Sequence, residues 1–212
     1  VLVCHRRFGK TVCMINHLIR SALLSKLNNP RFAYIAPTFK QAKSIAWDYM
    51  KQFTAKIPHT KFNETELRVD LPNGSRITLL GSESPDGLRG IYLDGCVIDE
   101  YANVNSKLFP EIIRPALSDR KGYCVFIGTP MGMNNNFYEL YQHAQGAEDW
   151  FNYKAKASDT KIVDNDELVK AKEVMGEKKY MQEFECDWIA NIEGAVYGDV
   201  IAKLDDDKHL TR

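Results

Sequence analysis

The chain has 212 residues, of which 44% are hydrophobic and 26% are charged, a composition typical of one globular domain with a small appendage. Lysine plus arginine and aspartate plus glutamate each total 28, so the formal charge is zero and a polybasic wrapper of nucleic acid is excluded. No apolar run approaches the roughly 18–20 residues that span a bilayer, so no membrane partner is expected. Any contact with nucleic acid must therefore come from a local patch or from several copies of the chain.

The first quarter of the chain alternates between strand and helix patterns. Val1–Cys4 predicts a short buried strand, and apolar spacing from Thr11 to about Leu24 predicts a helix. Phe32–Ala36 predicts a second buried strand, and Phe39–Phe53 predicts a second helix. Apolar strands separated by helices are typical of a mainly parallel sheet covered by helices on both faces.

A period-two pattern follows, in which Glu66–Leu71 and Ser75–Leu80 flank Pro72-Asn73-Gly74. Alternation around an Asn-Gly turn predicts a β-hairpin, which we interpret as an insertion into the α/β core. Beyond it, the predicted elements alternate again; they are strands at Cys96–Ile98, Tyr123–Ile127 and Phe151–Ala155, and helices at Asn136–Gln145, Asp164–Met175 and Glu177–Glu185.

The composition shifts near Lys156, where buried strands give way to polar helices. We therefore expect an α/β core over residues 1–156, a small helical lid subdomain over 157–196 and a linker over 197–212. Because residue 1 is valine and already lies in a strand pattern, the core is expected to be truncated at its N-terminus.

The segment from His5 to Thr11 connects the first predicted strand to the first predicted helix and contains Gly9-Lys10-Thr11. This is the context of a phosphate-binding loop, in which backbone N–H groups and the positive end of the helix face the phosphates. Lys10 would reach the β and γ phosphates, and the Thr11 hydroxyl would ligate Mg²⁺. The alternative is an ordinary helix start, since Cys4 stands where the usual loop has its first glycine.

Two acids, Asp99 and Glu100, follow the buried strand Cys96–Ile98 directly. In an ATP-hydrolysing site the first acid would hold Mg²⁺ through water, and the second would polarise the attacking water. The alternative is a strand that merely ends in two solvated acids. The carboxyl ends of parallel strands meet at one sheet edge, so the acids and the Gly-Lys-Thr loop are expected together.

Two further candidates rest on position. Thr129 follows another buried strand within Gly128-Thr129-Pro130 and would contact the γ phosphate or the attacking water, unless the segment is a plain turn. Arg89 stands in a loop between two glycines, where it would neutralise a phosphoryl transition state, unless it is an ordinary surface arginine. Lys40 and Lys43 are equally consistent with DNA phosphate contacts and with a solvated helix face.

Together these residues resemble the large terminase subunit of tailed bacteriophages, the DNA-packaging motor. The motifs that carry the resemblance are Arg6–Thr11, Ile35–Thr38 with Gln41–Lys43, Leu88–Gly90, Val97–Tyr101, Gly128–Pro130 and Tyr180–Trp188. Their order and spacing match over most of the chain, and the double-arginine loop without a first glycine is more specific than any single motif.

The resemblance implies a P-loop ATPase of the additional-strand type that binds ATP and Mg²⁺. The residues that it places in nucleotide binding are His5, Arg6, Arg7, Phe8, Gly9, Lys10 and Thr11; the metal would be held by Thr11 and Asp99; and catalysis would involve Glu100, Arg89, Arg7 and Thr129. The adenine-contacting segment would lie before Val1. An RNase H-like nuclease domain would begin near or after Tyr197, so endonuclease activity is not expected of this chain.

The resemblance also implies partners and a location. The expected partners are double-stranded DNA, the portal protein, the small terminase subunit and further copies of the chain in a ring, where Arg89 would act on a neighbour's ATP. The expected location is the host bacterial cytoplasm, at the procapsid portal. Two alternatives remain: a fragment of a superfamily 1 or 2 helicase-like ATPase, and a catalytically dead P-loop scaffold.

Overall fold

Eight strands form one sheet in the structure of the chain, a computed structural model that describes residues 1–189. In chain order the strands are β1 (Leu2–Cys4), β2 (Arg31–Ala36), β3 (Lys61–Asn63), β4 (Arg68–Asp70), β5 (Arg76–Gly81), β6 (Gly95–Ile98), β7 (Tyr123–Gly128) and β8 (Tyr153–Ala155). Their spatial order is β3-β4-β5-β2-β6-β7-β1-β8.

Helices fill most of the connections. The α-helices are α1 (Lys10–Leu24), α2 (Phe39–Ala42), α3 (Asp48–Thr54), α4 (Arg114–Ser118), α5 (Asn136–Gly146), α6 (Ala157–Thr160), α7 (Asn165–Met175) and α8 (Glu177–Glu183). A π-helical turn, Lys43–Trp47, joins α2 to α3, and a second one, Phe109–Ile113, precedes α4. No helix within residues 1–189 is long and apolar enough to cross a membrane.

The strand order confirms the predicted additional-strand arrangement. Strand β7 pairs in parallel with β1 on one side and with β6 on the other, so it separates the strand before the glycine loop from the strand before the two acids. Strands β2, β5 and β8 also join by parallel pairing. Strand β1, which precedes the glycine loop, and strand β6, which precedes the two acids, therefore end at the same edge of the sheet.

The predicted hairpin is present, but it is part of the main sheet. Strands β4 and β5 pair antiparallel around a turn in which Gly74 has a φ of 83°, a conformation that favours glycine. Strand β5 also pairs in parallel with β2 over all six of its residues. The hairpin therefore extends the sheet, and the short strand β3 adds a further antiparallel strand at its edge.

The two faces of the sheet pack against different helices. Along β2, Ala33 and Ile35 face the cluster that contains α4 and α5, whereas Phe32, Tyr34 and Ala36 face the cluster that contains α1 and α3. This alternation is the period-two geometry of a strand buried on both sides. It places the first helix after the glycine loop over the same face as Tyr34.

The helices after β8 have a small apolar cluster of their own, built on Ala157, Val163, Leu168 and Phe184. The chain then returns to the main core through a buried tryptophan, Trp188, which packs against the aromatic rings of α5. The division at residue 156 stays a prediction, and residues 190–196 of the expected lid and the whole expected linker lie outside the described residues.

Candidate functional site

The loop between β1 and α1 has the backbone conformation that a tight turn into a helix needs. Gly9 precedes the helix with a φ of 87°, and Arg7 has a φ of 66°, which is uncommon for a residue with a side chain. The Cys13 N–H donates to the Gly9 carbonyl at 3.0 Å, so the helix begins directly after the glycine. The earlier N–H groups of the first turn are left without helical partners and suit an anion.

Asp99 is buried at the end of β6, and three groups donate hydrogen bonds to its carboxylate. The Thr11 hydroxyl donates to Oδ2 at 3.1 Å, and the Tyr34 hydroxyl donates to the same oxygen. The Glu100 N–H donates to Oδ1 at 2.8 Å. Burial, followed by the charge of Asp99, raises the pKa of Tyr34, so this hydroxyl stays a donor. The carboxylate is therefore held in one orientation directly beside Thr11.

Lys10 and Glu100 form the second contact across the site. The Lys10 Nζ lies 3.4 Å from the Glu100 Oε1, and the two side chains are 12% and 34% exposed. Glu100 itself has a φ of 47°, a left-handed conformation that is uncommon for a residue with a side chain. Burial raises the pKa of Glu100; Lys10 opposes the shift, and Asp99 and Glu183 add to it.

The first residues of the loop are bound to the helical segment that follows β8. His5 is fully buried, with its N–H bonded to the Ala155 carbonyl and its Nε2 lying 2.8 Å from the Thr160 Oγ1. The Arg6 N–H donates to the Glu183 carbonyl at 2.8 Å, and its guanidinium lies 3.9 Å from the Glu183 carboxylate. These bonds leave His5 as a support of the loop, with its N–H already committed within the protein.

The remaining predicted residues differ in their relation to this cluster. Thr129 is buried directly after β7, between the strands that carry the loop and the acids. Phe8 packs edge-on against the His5 ring at 5.3 Å between centroids. Arg89 is not bound to the cluster: its Nε donates to Asp86 at 2.8 Å, and its guanidinium lies 3.7 Å from the Glu111 carboxylate.

Comparison with known proteins matches this arrangement to one family. The family described as "Terminase large subunit, T4likevirus-type, N-terminal" matches residues 3–198, which is most of the chain. The chain belongs to this terminase family. The match covers the loop and the acids together, and it does not favour the helicase-like alternative.

Relatives of this terminase domain agree with the family match. The large terminase subunit of Thermus phage G20c is 30% identical over 126 residues, which cover 50% of this chain and 26% of that protein. The chain thus spans about a quarter of the length of this relative. The large terminase ATPase domain of Thermus phage P74-26 has the same fold, with a TM-score of 0.73, 21% identity, and coverage of 89% of this chain and 87% of that one.

A second solved structure, the large terminase of a thermophilic bacteriophage in complex with ADP, has a TM-score of 0.74 at 17% identity. The similarity covers 88% of this chain and 48% of that chain. At these identities the two structures show the fold of the terminase domain, which is the predicted α/β P-loop fold.

The oxygen groups of this terminase domain fit a magnesium ion. The Thr11 hydroxyl and the Asp99 carboxylate are hard oxygen donors that lie 3.1 Å apart. Magnesium that is bound with a nucleotide keeps several waters and needs only one or two carboxylates besides the phosphates. Within residues 1–189, no group of three or more acidic, histidine or cysteine side chains is placed to hold a metal ion.

Sequence reasoning missed two residues that contact the candidate site. Tyr34 lies inside an apolar strand and reads as a core residue, although its hydroxyl contacts Asp99. Glu183 lies in a polar helix 83 residues beyond Glu100, within the Tyr180–Trp188 motif, and its carbonyl and carboxylate both contact Arg6. A lone hydroxyl among apolar strand residues was the available signal for Tyr34, and membership of the Tyr180–Trp188 motif was the available signal for Glu183.

Proposed function

We propose that this chain hydrolyses ATP and serves as the motor domain of a terminase that packages double-stranded DNA. The observation that carries the proposal is the meeting of two pairs at one sheet edge, Lys10 with Glu100 and Thr11 with Asp99. The family membership supports the same function, and the large terminase of the thermophilic bacteriophage is known in complex with ADP and with ATP-γ-S.

In the proposed site, Lys10 binds the β and γ phosphates, whose oxygens compete with Glu100 for the same ammonium group. Loop N–H groups at the start of α1 donate to the phosphates. Thr11 and Asp99 hold Mg²⁺, Asp99 through water. A Mg²⁺ ion held by these residues would supply positive charge beside the phosphates. Because the Thr11 hydroxyl donates its hydrogen bond to Asp99, the lone pairs of its oxygen remain available to a metal.

Glu100 is the proposed general base. Once phosphate has taken its place on Lys10, the carboxylate is free to accept a proton from the attacking water, a role that typically contributes ~10²–10⁴ in rate. Its raised pKa makes it a better proton acceptor than an ordinary glutamate. Arg7, in the same loop, and Thr129, at the end of the neighbouring strand, are proposed to contact the γ phosphate or the water.

The partners follow from the packaging role. We propose that copies of the chain form a ring on the portal, with the small terminase subunit delivering double-stranded DNA. Packaging would take place in the host bacterial cytoplasm at the procapsid portal. Arg89 is proposed to reach the ATP of a neighbouring copy, because in its own copy its guanidinium contacts Asp86 and Glu111 instead of the site.

Titration with ATP-γ-S in the presence of Mg²⁺ tests the nucleotide site. Lys10→Ala is expected to weaken binding roughly 10–100-fold, since a hydrogen bond to a charged group contributes about 1.5–3 kcal/mol. Lys178→Ala, which removes an exposed lysine from α8, is the matched control and should leave the affinity unchanged. Equal affinities for the parent chain and Lys10→Ala would refute the phosphate-loop assignment.

A further inference from the structure

Tyr34 lies in the middle of β2 with no exposed surface, between apolar neighbours on both sides. Its ring packs in the cluster under α1, a role that phenylalanine would fill equally well. Its hydroxyl, however, donates to the Asp99 Oδ2. A buried hydroxyl is costly unless it is hydrogen-bonded, so the choice of tyrosine is explained by this one bond.

The strand register explains how the two residues meet. Tyr34 pairs with Val97 on β6, and the Asp99 N–H donates to the Ile35 carbonyl at 2.8 Å. Since side chains alternate along a strand, Asp99 and Val97 point to the same face as Tyr34. That face is the one covered by α1, whose second residue is Thr11. The three hydroxyl and carboxylate groups are thus brought together by two neighbouring strands and the start of one helix.

The two oxygens of the Asp99 carboxylate accept hydrogen bonds from different parts of the chain. Oδ2 accepts from both Thr11 and Tyr34, and Oδ1 accepts from the Glu100 N–H. Thr11 lies in the first turn of α1, directly after the glycine loop, and Glu100 lies in the chain that leaves β6, so both donors border the proposed phosphate site. Tyr34 is the donor that comes from inside a fully paired strand. It therefore anchors Asp99 to the rigid part of the sheet.

We propose that Tyr34 is a positioning residue for the metal site: its hydroxyl fixes the Asp99 carboxylate so that Thr11 and Asp99 present their oxygens to Mg²⁺ together. This inference rests on the proposed function. Residues that orient metal-holding carboxylates typically change metal affinity ~10–100-fold when they are replaced. Because Asp99 is proposed to act through water, the effect of Tyr34 lies at the lower end, about tenfold.

The test compares Tyr34→Phe with the parent chain and with Tyr123→Phe. The control removes another mostly buried tyrosine hydroxyl, at the opposite end of the sheet from the site, where β7 begins. Binding of ATP-γ-S is measured in EDTA and across a Mg²⁺ titration. Tyr34→Phe should raise the Mg²⁺ midpoint about tenfold and leave the affinity in EDTA within about twofold. Tyr123→Phe should match the parent chain in both measurements.

Two results would overturn the proposal: a Mg²⁺ midpoint for Tyr34→Phe equal to that of the parent chain, or an equal loss of affinity in EDTA and in Mg²⁺, which would indicate a purely structural role. Failure of the proposed function looks different, because the parent chain itself would then bind no nucleotide. If Tyr34→Phe does not fold, the comparison is made between Glu100→Gln and Glu100→Gln with Tyr34→Phe. Removal of the Glu100 charge relieves its repulsion with Asp99. The double variant must then show a higher Mg²⁺ midpoint than Glu100→Gln alone.

Discussion

The pair Lys10–Glu100 and the pair Arg89–Glu111 look alike in distance but differ in surroundings. The charged atoms lie 3.4 Å apart in the first pair and 3.7 Å apart in the second. The side chains of the first pair are 12% and 34% exposed, whereas those of the second are 57% and 48% exposed. Charges that are withdrawn from water interact strongly, and exposed ones are screened. The comparison indicates one pair that is largely withdrawn from water and one that solvent screens.

The backbone explains this difference. Lys10 is the first residue of a 15-residue helix, and Glu100 follows the fully buried strand β6. Arg89 follows a short 3-10 turn, Pro85–Leu88, and precedes Gly90, which has a φ of 84°. The first pair is therefore held by regular elements. Arg89, in contrast, lies on a loop, and its guanidinium contacts two exposed acids. An arginine held in this way is suited to leave its own chain's acids for a phosphate of another copy.

The largest expected effect tests that idea. Arg89→Ala should lower ATP turnover in assembled chains by ~10³–10⁵, the contribution of an arginine supplied to the transition state, and Glu100→Gln should lower it by ~10²–10⁴. When the two variants are mixed under conditions that favour assembly, activity should partly return at interfaces where an intact Arg89 meets an intact Glu100. Mixed assemblies without any recovered turnover would rule out action between copies, as would full activity of Arg89→Ala alone.

The pH dependence of turnover tests the role of Glu100, in the less exposed of the two pairs. Glu100 must be ionised to accept a proton, and burial raises its pKa above the ordinary glutamate value of 4.5. Turnover should therefore fall as the pH decreases through this raised pKa, by about tenfold per pH unit below it. The check is kcat measured from neutral pH downward at saturating ATP. A rate that stays constant down to pH 4.5 would mean that ionisation of Glu100 does not limit the reaction.

A smaller effect is expected on stability. A carboxyl whose pKa is raised in the folded chain binds its proton more tightly there than in the unfolded chain, so its ionisation destabilises the fold as the pH rises above 4.5. Glu100→Gln should accordingly raise the Tm at pH 7, by about 2–4 °C for each kcal/mol gained. The gain should vanish below the ordinary glutamate pKa.

The matched variant for this stability experiment is Glu111→Gln, which removes the exposed acid beside Arg89. Its Tm should stay close to that of the parent chain, because exposed ion pairs are screened by solvent. Thermal unfolding at pH 7 checks both variants. A Tm that falls in Glu100→Gln, or that changes equally in the two variants, would contradict the difference in burial drawn above.

Local patterns in the sequence were sufficient to predict the elements that carry the site. The buried strands before Lys10 and Asp99, the helix after the loop and the Asn-Gly hairpin are all present. The segment Phe109–Ser118 was missed because Pro110 and Pro115 interrupt its pattern, although each proline lies within a first turn, where it is tolerated. Strand β3 was missed because it is three residues long and largely exposed.

Contacts between residues that lie far apart in the chain could not be predicted from the sequence. The bond from Tyr34 to Asp99 depends on the pairing of β2 with β6, and local periodicity does not specify which strands become neighbours. The same holds for the contact of Arg6 with Glu183, which lies 177 positions further along the chain. The side chains that perform the proposed chemistry could be named in advance, whereas those that support them required the structure.

The most direct test of the account compares Glu100→Gln with the parent chain in ATP binding and in turnover. The two side chains are nearly identical in shape, but the amide does not accept a proton from water. The account predicts that binding of Mg²⁺ and ATP is retained while turnover falls by ~10²–10⁴. Turnover by Glu100→Gln at the rate of the parent chain would contradict the assignment of this edge of the sheet as the hydrolytic site.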